Sequence, residues 1–120
     1  MKPSYPSKVF LNGDILDAQD ARISVFDRGF IFGDGIYEVM AQIRGRFFYG
    51  PAHMDRLRNC LKKIGIAMDV DQLEARIPDL LEASGLTDQD CMLYIQVSRG
   101  VAPRQHAYPR EILPTAMMYA

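Results

Sequence analysis

Arg104 and His106 stand two residues apart in S-R-G-V-A-P-R-Q-H-A-Y-P-R-E, residues 98–111, between Pro103 and Pro109. A guanidinium presents a planar fork of donors that pairs bidentately with a carboxylate, and an imidazole beside it adds another donor. On an extended backbone, residues two apart point to the same side, so both groups would face one space and could hold a small carboxylate there. The competing reading is that Arg99, Arg104 and Arg110 decorate a surface loop and are satisfied by acids elsewhere. The prolines stiffen the backbone that carries the pair, which suits the mounting of a site.

Two further side chains could contribute. In D-R-G-F-I-F-G-D-G-I-Y-E-V, residues 27–39, Gly33 and Gly35 let a loop pass tightly into a strand, and Tyr37 projects a phenol from its start. The plainer reading is a bend followed by a core tyrosine. The segment has neither G-x-G-x-x-G spacing nor a Gly-Lys-Ser/Thr, so it is no phosphate loop of the nucleotide kind. In H-M-D-R-L-R, residues 53–58, Leu57 belongs to an apolar stripe. Arg56 flanks that stripe and can lay its stem on the core edge while its guanidinium reaches a groove; alternatively it is a surface arginine. Asp55 reads as solvated and His53 as a packed or capping histidine. No second ligand is spaced to give His53 a zinc site, and no metal is expected.

These residues need elements to hold them. K-V-F-L (8–11), Asn12-Gly13 and the following I-L predict a β-hairpin. Tyr37, Val39, Ala41 and Ile43 share one face of a strand, and Arg44-Gly45 turns the chain into R-F-F-Y as its partner. Pro51, then Met54, Leu57, Leu61 and Ile64, then Gly65, predict a helix from its first turn to its stop. Asp69 and Gln72 resemble a capping box for a second helix striped by Val70, Leu73, Ile77, Leu80 and Leu81, ending near Gly85 and kinked or interrupted at Pro78. C-M-L-Y-I-Q-V and T-A-M-M-Y-A read as strands. The class predicted is α+β, an antiparallel sheet packed with two helices.

At 120 residues, 48% hydrophobic and 24% charged, the chain fits one globular domain. A net charge of −1 gives no general field for nucleic acid or anionic lipid, so any anion site must be local. The only two cysteines, Cys60 and Cys91, lack metal-ligand spacing and read as core residues in a reducing cytoplasm. The last strand stops at Ala120 without a turn or cap, which leads us to expect a continuation.

Taken in order, D-R-G-F-I-F-G-D-G-I-Y-E-V, H-M-D-R-L and Y-I-Q-V-S-R-G-V-A-P-R-Q-H-A-Y-P resemble the N-terminal half of the fold-type IV pyridoxal-phosphate aminotransferases. The R-G-x-x-P-R-x-H run is most similar to the D-amino acid aminotransferase branch. The resemblance implies that residues 1–120 are the small N-terminal domain and that a lysine-bearing C-terminal domain lies outside them. It implies that Arg56 binds the phosphate of pyridoxal 5′-phosphate and that Tyr37 lies on the substrate side of the cofactor. Arg104 and His106 would complete a trap for the carboxylate of an amino acid or 2-oxo acid, reaching into the partner subunit's site of a homodimer. The catalytic lysine would be absent here: Lys2 and Lys8 are near the N-terminus, and Lys62 and Lys63 lie off the apolar stripe. The 120 residues alone would bind the cofactor weakly or not at all and would be inactive. Two other readings stay open, a branched-chain aminotransferase or aminodeoxychorismate lyase of the same fold, and a non-catalytic domain that binds an anion or a partner.

Overall fold

A computed structural model describes residues 4–120 of the chain. Asn12 and Gly13 both take positive φ, 50° and 98°, the geometry that closes two short strands without splaying them. They join β1 (Lys8–Leu11) to β2 (Asp14–Asp17). Arg44 and Gly45 do the same between β3 (Gly35–Ile43) and β4 (Arg46–Phe47). β4 is shorter than the R-F-F-Y run predicts. Phe48 N–H still bonds the Ala41 carbonyl, but Tyr49 turns to a φ of 54° and leads the chain off the sheet into a helix. With β5 (Cys91–Ser98) and β6 (Thr115–Tyr119) the six strands form one antiparallel sheet in the order β2-β1-β6-β5-β3-β4.

The glycine-punctuated stretch before β3 contains α1 (Arg28–Phe32), which the sequence does not reveal because one turn is too short to show a helical period. Asp27 caps it, accepting from Gly29 N–H at 2.8 Å. α2 (Gly50–Ile64) runs as predicted, with Pro51 in its first turn and Gly65 as its left-handed stop. The second predicted helix is two, α3 (Val70–Ala75) and α4 (Ile77–Ala83), broken just before Pro78. That proline falls in the first turn of α4, where the missing N–H has no helical acceptor to lose. Asp69 accepts from Gln72 N–H at 3.1 Å and starts α3.

Helices α2, α3 and α4 cover one face of the sheet. Leu93, Ile95 and Val97 of β5 and Met118 of β6, each 0% exposed, meet Met54, Leu57, Leu73 and Leu80 there. The opposite face carries Tyr37, Val39, Tyr94, Gln96, Met117 and Tyr119, paired across strands in register. Tyr37, Val39, Ala41 and Ile43 do share a face, and it is this open one. β3 therefore turns Glu38, Met40 and Gln42 toward the helices, all buried. Buried polar groups need partners. The Gln42 amide donates to carbonyls of the 86–89 turn, at 2.9 Å to Leu86 and to Gln89.

Candidate functional site

Glu38 points from the middle of the sheet into the seam between β3 and α2, with 2% of its side chain exposed. A carboxylate there is tolerable only if it is paired and hydrogen-bonded. Arg56 closes on it bidentately from α2, Nε to Oε2 at 2.9 Å and Nη2 to Oε1, and His53 Nδ1 lies 2.7 Å from Oε1. The Arg56 hydrogen bond is the largest influence on Glu38. Together with the smaller one from His53 it holds the carboxyl below its usual range, against the upward push of burial. The Arg56 side chain remains 65% exposed. Two of the five guanidinium N–H groups are used on Glu38, which leaves three for an outside acceptor while the two-point grip sets the plane of the group.

On the opposite face of the same strand, Tyr37 is 66% exposed. Its ring stacks on Tyr94 at 5.6 Å between centroids, and Tyr94 stacks on Tyr119 at 5.0 Å. This row fixes the direction of the Tyr37 phenol. Burial, then the neighbouring Tyr119 and Tyr37, push the Tyr94 hydroxyl upward, and that hydroxyl bonds to the Gln96 side chain. Gln96 lies directly opposite Tyr37 in the register and lines a cavity of about 320 Å³, together with Ile23, Val25, Phe30 and Met117. The open face thus combines an apolar hollow with one exposed phenol, the usual makeup of a small-molecule site.

The loop after β5 is tied down from below. Arg99, 4% exposed, and Arg28, 3% exposed, both donate to Oδ2 of Asp34, at 2.8 and 2.7 Å. Arg99 also donates to the Ile64 carbonyl at 2.8 Å, at the C-terminal end of α2, and its guanidinium lies 3.6 Å from the centre of the Tyr108 ring. Burial by itself raises the Asp34 carboxyl, but hydrogen bonds from Arg99 and Arg28, with their charges, outweigh it and hold it below the ordinary range. Gly100 takes φ 114°, and a Cβ there would fall 1.9 Å from the Leu113 carbonyl, so only glycine lets the two ends of the loop approach this closely. Arg99 is therefore an anchor of the fold, satisfied by an acid from elsewhere in the chain.

The loop is not the extended strand that the two-residue argument assumed, because the prolines and Gly100 keep residues 102–114 out of the sheet. Arg104 and His106 nevertheless both approach the ring of Phe32. The Arg104 guanidinium lies 5.5 Å from the centre of the Phe32 ring, and the His106 ring lies 5.5 Å from the same centre. Both residues are exposed. Among the described residues Arg104 has no ion pair, so its donor fork is open to an outside anion. Arg56 lies on α2, on the helix side of the sheet, and Tyr37 on the open face of β3. No hydrogen bond or ion pair among the described residues joins them to the Arg104–His106 pair.

The residues present fit the phosphate end of a pyridoxal 5′-phosphate cofactor and not its aldehyde end. Arg56, held by Glu38 with three donors left over, suits a phosphate. Lys8 pairs with Asp17 at 2.5 Å, Lys62 and Lys63 are exposed on α2, and Lys2 lies outside the described residues. An amine that forms a bond to a carbonyl is normally set in a dry pocket, whereas Lys62 and Lys63 are exposed and Lys8 is held by an acid. Among the described residues no cluster of His, Cys, Asp or Glu could hold a metal ion, and no helix is long and apolar enough to cross a membrane. Cys60 and Cys91 are both free, and burial, aided by Asp90, pushes the Cys91 thiol up, away from reactivity.

Glu38, Asp34 and Arg28 were not singled out from the sequence. Strand parity held the signal for Glu38: once Tyr37 is placed on the open face, its neighbour must face the core, and a core acid demands a cation. Asp34 and Arg28 left no such trace, since their partners lie across a turn and a distant loop.

A sequence profile of the family described as Amino-transferase class IV matches residues 35–120. A D-alanine aminotransferase of Staphylococcus haemolyticus is 37% identical over 117 residues, covering 95% of this chain and 41% of the relative. The solved structure of 4-amino-4-deoxychorismate lyase from Pseudomonas aeruginosa superposes with a TM-score of 0.76 at 26% identity, covering 92% of this chain and 38% of that one. The branched-chain amino acid aminotransferase from Escherichia coli gives a TM-score of 0.85 at 16% identity, over 96% of this chain and 40% of that one; at that identity the likeness is one of fold. The chain spans about two-fifths of the length of the curated relative it matches.

Proposed function

The chain belongs to the class IV amino-transferase family, and from that premise we propose that it is the recognition-bearing N-terminal domain of a pyridoxal 5′-phosphate-dependent D-amino acid aminotransferase. The whole enzyme exchanges an amino group between a D-amino acid and a 2-oxo acid in the cytoplasm. A lysine-bearing second domain outside residues 1–120 completes it, and the active form is a homodimer in which the Arg104–His106 loop reaches the partner's site. The observation that carries this reading is the exposed Arg104 fork, without an ion pair among the described residues, approaching the same aromatic ring as His106.

Each residue then has a task. Arg104 grips the substrate carboxylate through two parallel N–H donors, and His106 adds a third. Tyr37 offers its phenol O–H on the substrate side, aimed by the Tyr94 stack. Arg56 turns three donors to the cofactor phosphate while Glu38 keeps it from rotating. The cofactor, when bound, supplies the electron sink that makes the substrate's α-hydrogen labile. This chain contributes binding and orientation.

The likeness to the deoxychorismate lyase keeps a second reading of the same fold available. To separate them, the full-length product of the gene is assayed with D-alanine and 2-oxoglutarate against L-leucine, L-isoleucine and aminodeoxychorismate. A clear preference for the D-amino donor is expected; a preference for an L-branched donor or the lyase substrate ends the D-specific assignment. In the same assay Arg104→Ala is expected to raise KM for both carboxylate substrates about tenfold, the loss of one charge-assisted contact near 1.5 kcal/mol. An unchanged KM with a lowered kcat would remove Arg104 from the clamp.

A further inference from the structure

Arg28 has a task that the proposed site does not account for. It is 3% exposed, and taking a guanidinium out of water costs several kcal/mol unless nearly every donor is used. Its donors divide between Asp34 Oδ2 at 2.7 Å and two successive backbone carbonyls of the loop, Gln105 at 2.6 Å and His106 at 3.4 Å. One plane serving a carboxylate and two neighbouring carbonyls is a geometry that a guanidinium offers and an ammonium does not. Arg28 also lies 4.8 Å from the centre of the Phe32 ring, the ring that Arg104 and His106 each approach to 5.5 Å. Two guanidiniums share the single Asp34 carboxylate.

Resting on the reading of Arg104 and His106 as a carboxylate clamp, we propose that Arg28 is its positioning residue: by holding the backbone at Gln105 and His106 it keeps both clamp side chains over Phe32. Arg99 is the natural control. It shares the same Asp34 oxygen but sends its other donors to Ile64 at 2.8 Å and Gly65 at 3.3 Å, the end of α2, and meets the loop at the Tyr108 ring and not at a carbonyl of the clamp. A purely structural role would make the two arginines equivalent.

The test compares the full-length protein with its Arg28→Lys, Arg99→Lys and Arg104→Ala variants, each checked for folding by circular dichroism. Backbone amide relaxation and acetate titrations are followed by NMR at the His106 ring. Arg28→Lys is expected to loosen residues 104–107 and to weaken acetate binding about fivefold, while Arg99→Lys changes it less than about twofold. Arg104→Ala should abolish it. If Arg28→Lys leaves loop order and acetate affinity as they were, or if the two lysine variants behave alike, the positioning role is overturned. If Arg104→Ala binds acetate like the parent, or the parent binds none, the clamp reading itself fails, and relaxation of the loop alone then decides what Arg28 holds.

Discussion

Replacing Asp34 by alanine is expected to destabilise the fold by about 3–5 kcal/mol, because it leaves two buried guanidiniums facing each other without an anion. Arg28 and Arg99 are 3% and 4% exposed and both depend on Oδ2. The damage should not stay local, since the same pair ties α1, the end of α2 and the loop after β5 into one node. The pH dependence has a definite sign. Asp34 is held below its ordinary value in the folded chain. Its contribution is therefore complete above the unfolded carboxyl pKa, near 3.9, and fades as pH falls through the lower folded value. Thermal melts of the chain and of Asp34→Asn should differ most at pH 7 and converge toward pH 2. Parallel curves over that range would show that the carboxylate charge does not hold the node.

The parts of this molecule that could be read from sequence are those governed by local rules. Asn12-Gly13 and Arg44-Gly45 dictate their turns by φ alone, and Leu57, Leu61 and Gly65 mark α2 by period and stop. Pro78 divides α3 from α4 through chemistry confined to one turn. What could not be read is set by distance. Arg28 meets Gln105 across 77 residues, and Arg99 meets Asp34 across 65; no spacing rule connects them. The face of β3 illustrates the boundary: alternation grouped Tyr37, Val39, Ala41 and Ile43 without saying which side the helices would cover. Apolar alternation usually marks the buried side, and here it marks the open one, with Glu38 and Gln42 inside. β3 does turn Met40 into the core, but it places a carboxylate and an amide beside it, and each needs a partner from the helix side or the 86–89 turn.

That parity links the candidate phosphate and substrate groups through a single peptide unit. Tyr37 and Glu38 are consecutive, so they leave β3 in opposite directions, the phenol toward the open face and the carboxylate toward Arg56. A shift of β3 by one residue would exchange their faces and lose both at once. Gly35 makes such a shift hard to accommodate, since a Cβ in its place would lie 2.5 Å from the Val97 carbonyl. Only glycine fits that point of the β3–β5 register, so the position of Tyr37 and Glu38 is pinned two residues upstream of the pair.

Arg56→Ala is expected to lower the affinity for pyridoxal 5′-phosphate, measured on the full-length protein, by on the order of 10- to 100-fold, the loss of a charged multi-donor contact. The second consequence falls on Glu38. Arg56 exerts the strongest downward pull on that carboxyl, and without it burial is opposed only by His53. In the parent chain Glu38 is depressed, so its stabilising contribution is present above its unfolded pKa, near 4.3, and is lost as pH falls through the folded value. In Arg56→Ala that contribution should shrink or change sign, so melting temperature falls less between pH 7 and pH 3 than in the parent. Glu38→Gln separates the two effects. It keeps the volume and removes the charge, leaving Arg56 free to swing into water, and should weaken phosphate binding severalfold while also flattening the acid limb. Full phosphate affinity in Glu38→Gln would mean that Arg56 needs no orienting partner, and that the carboxylate is buried for the sake of the β3–α2 seam alone.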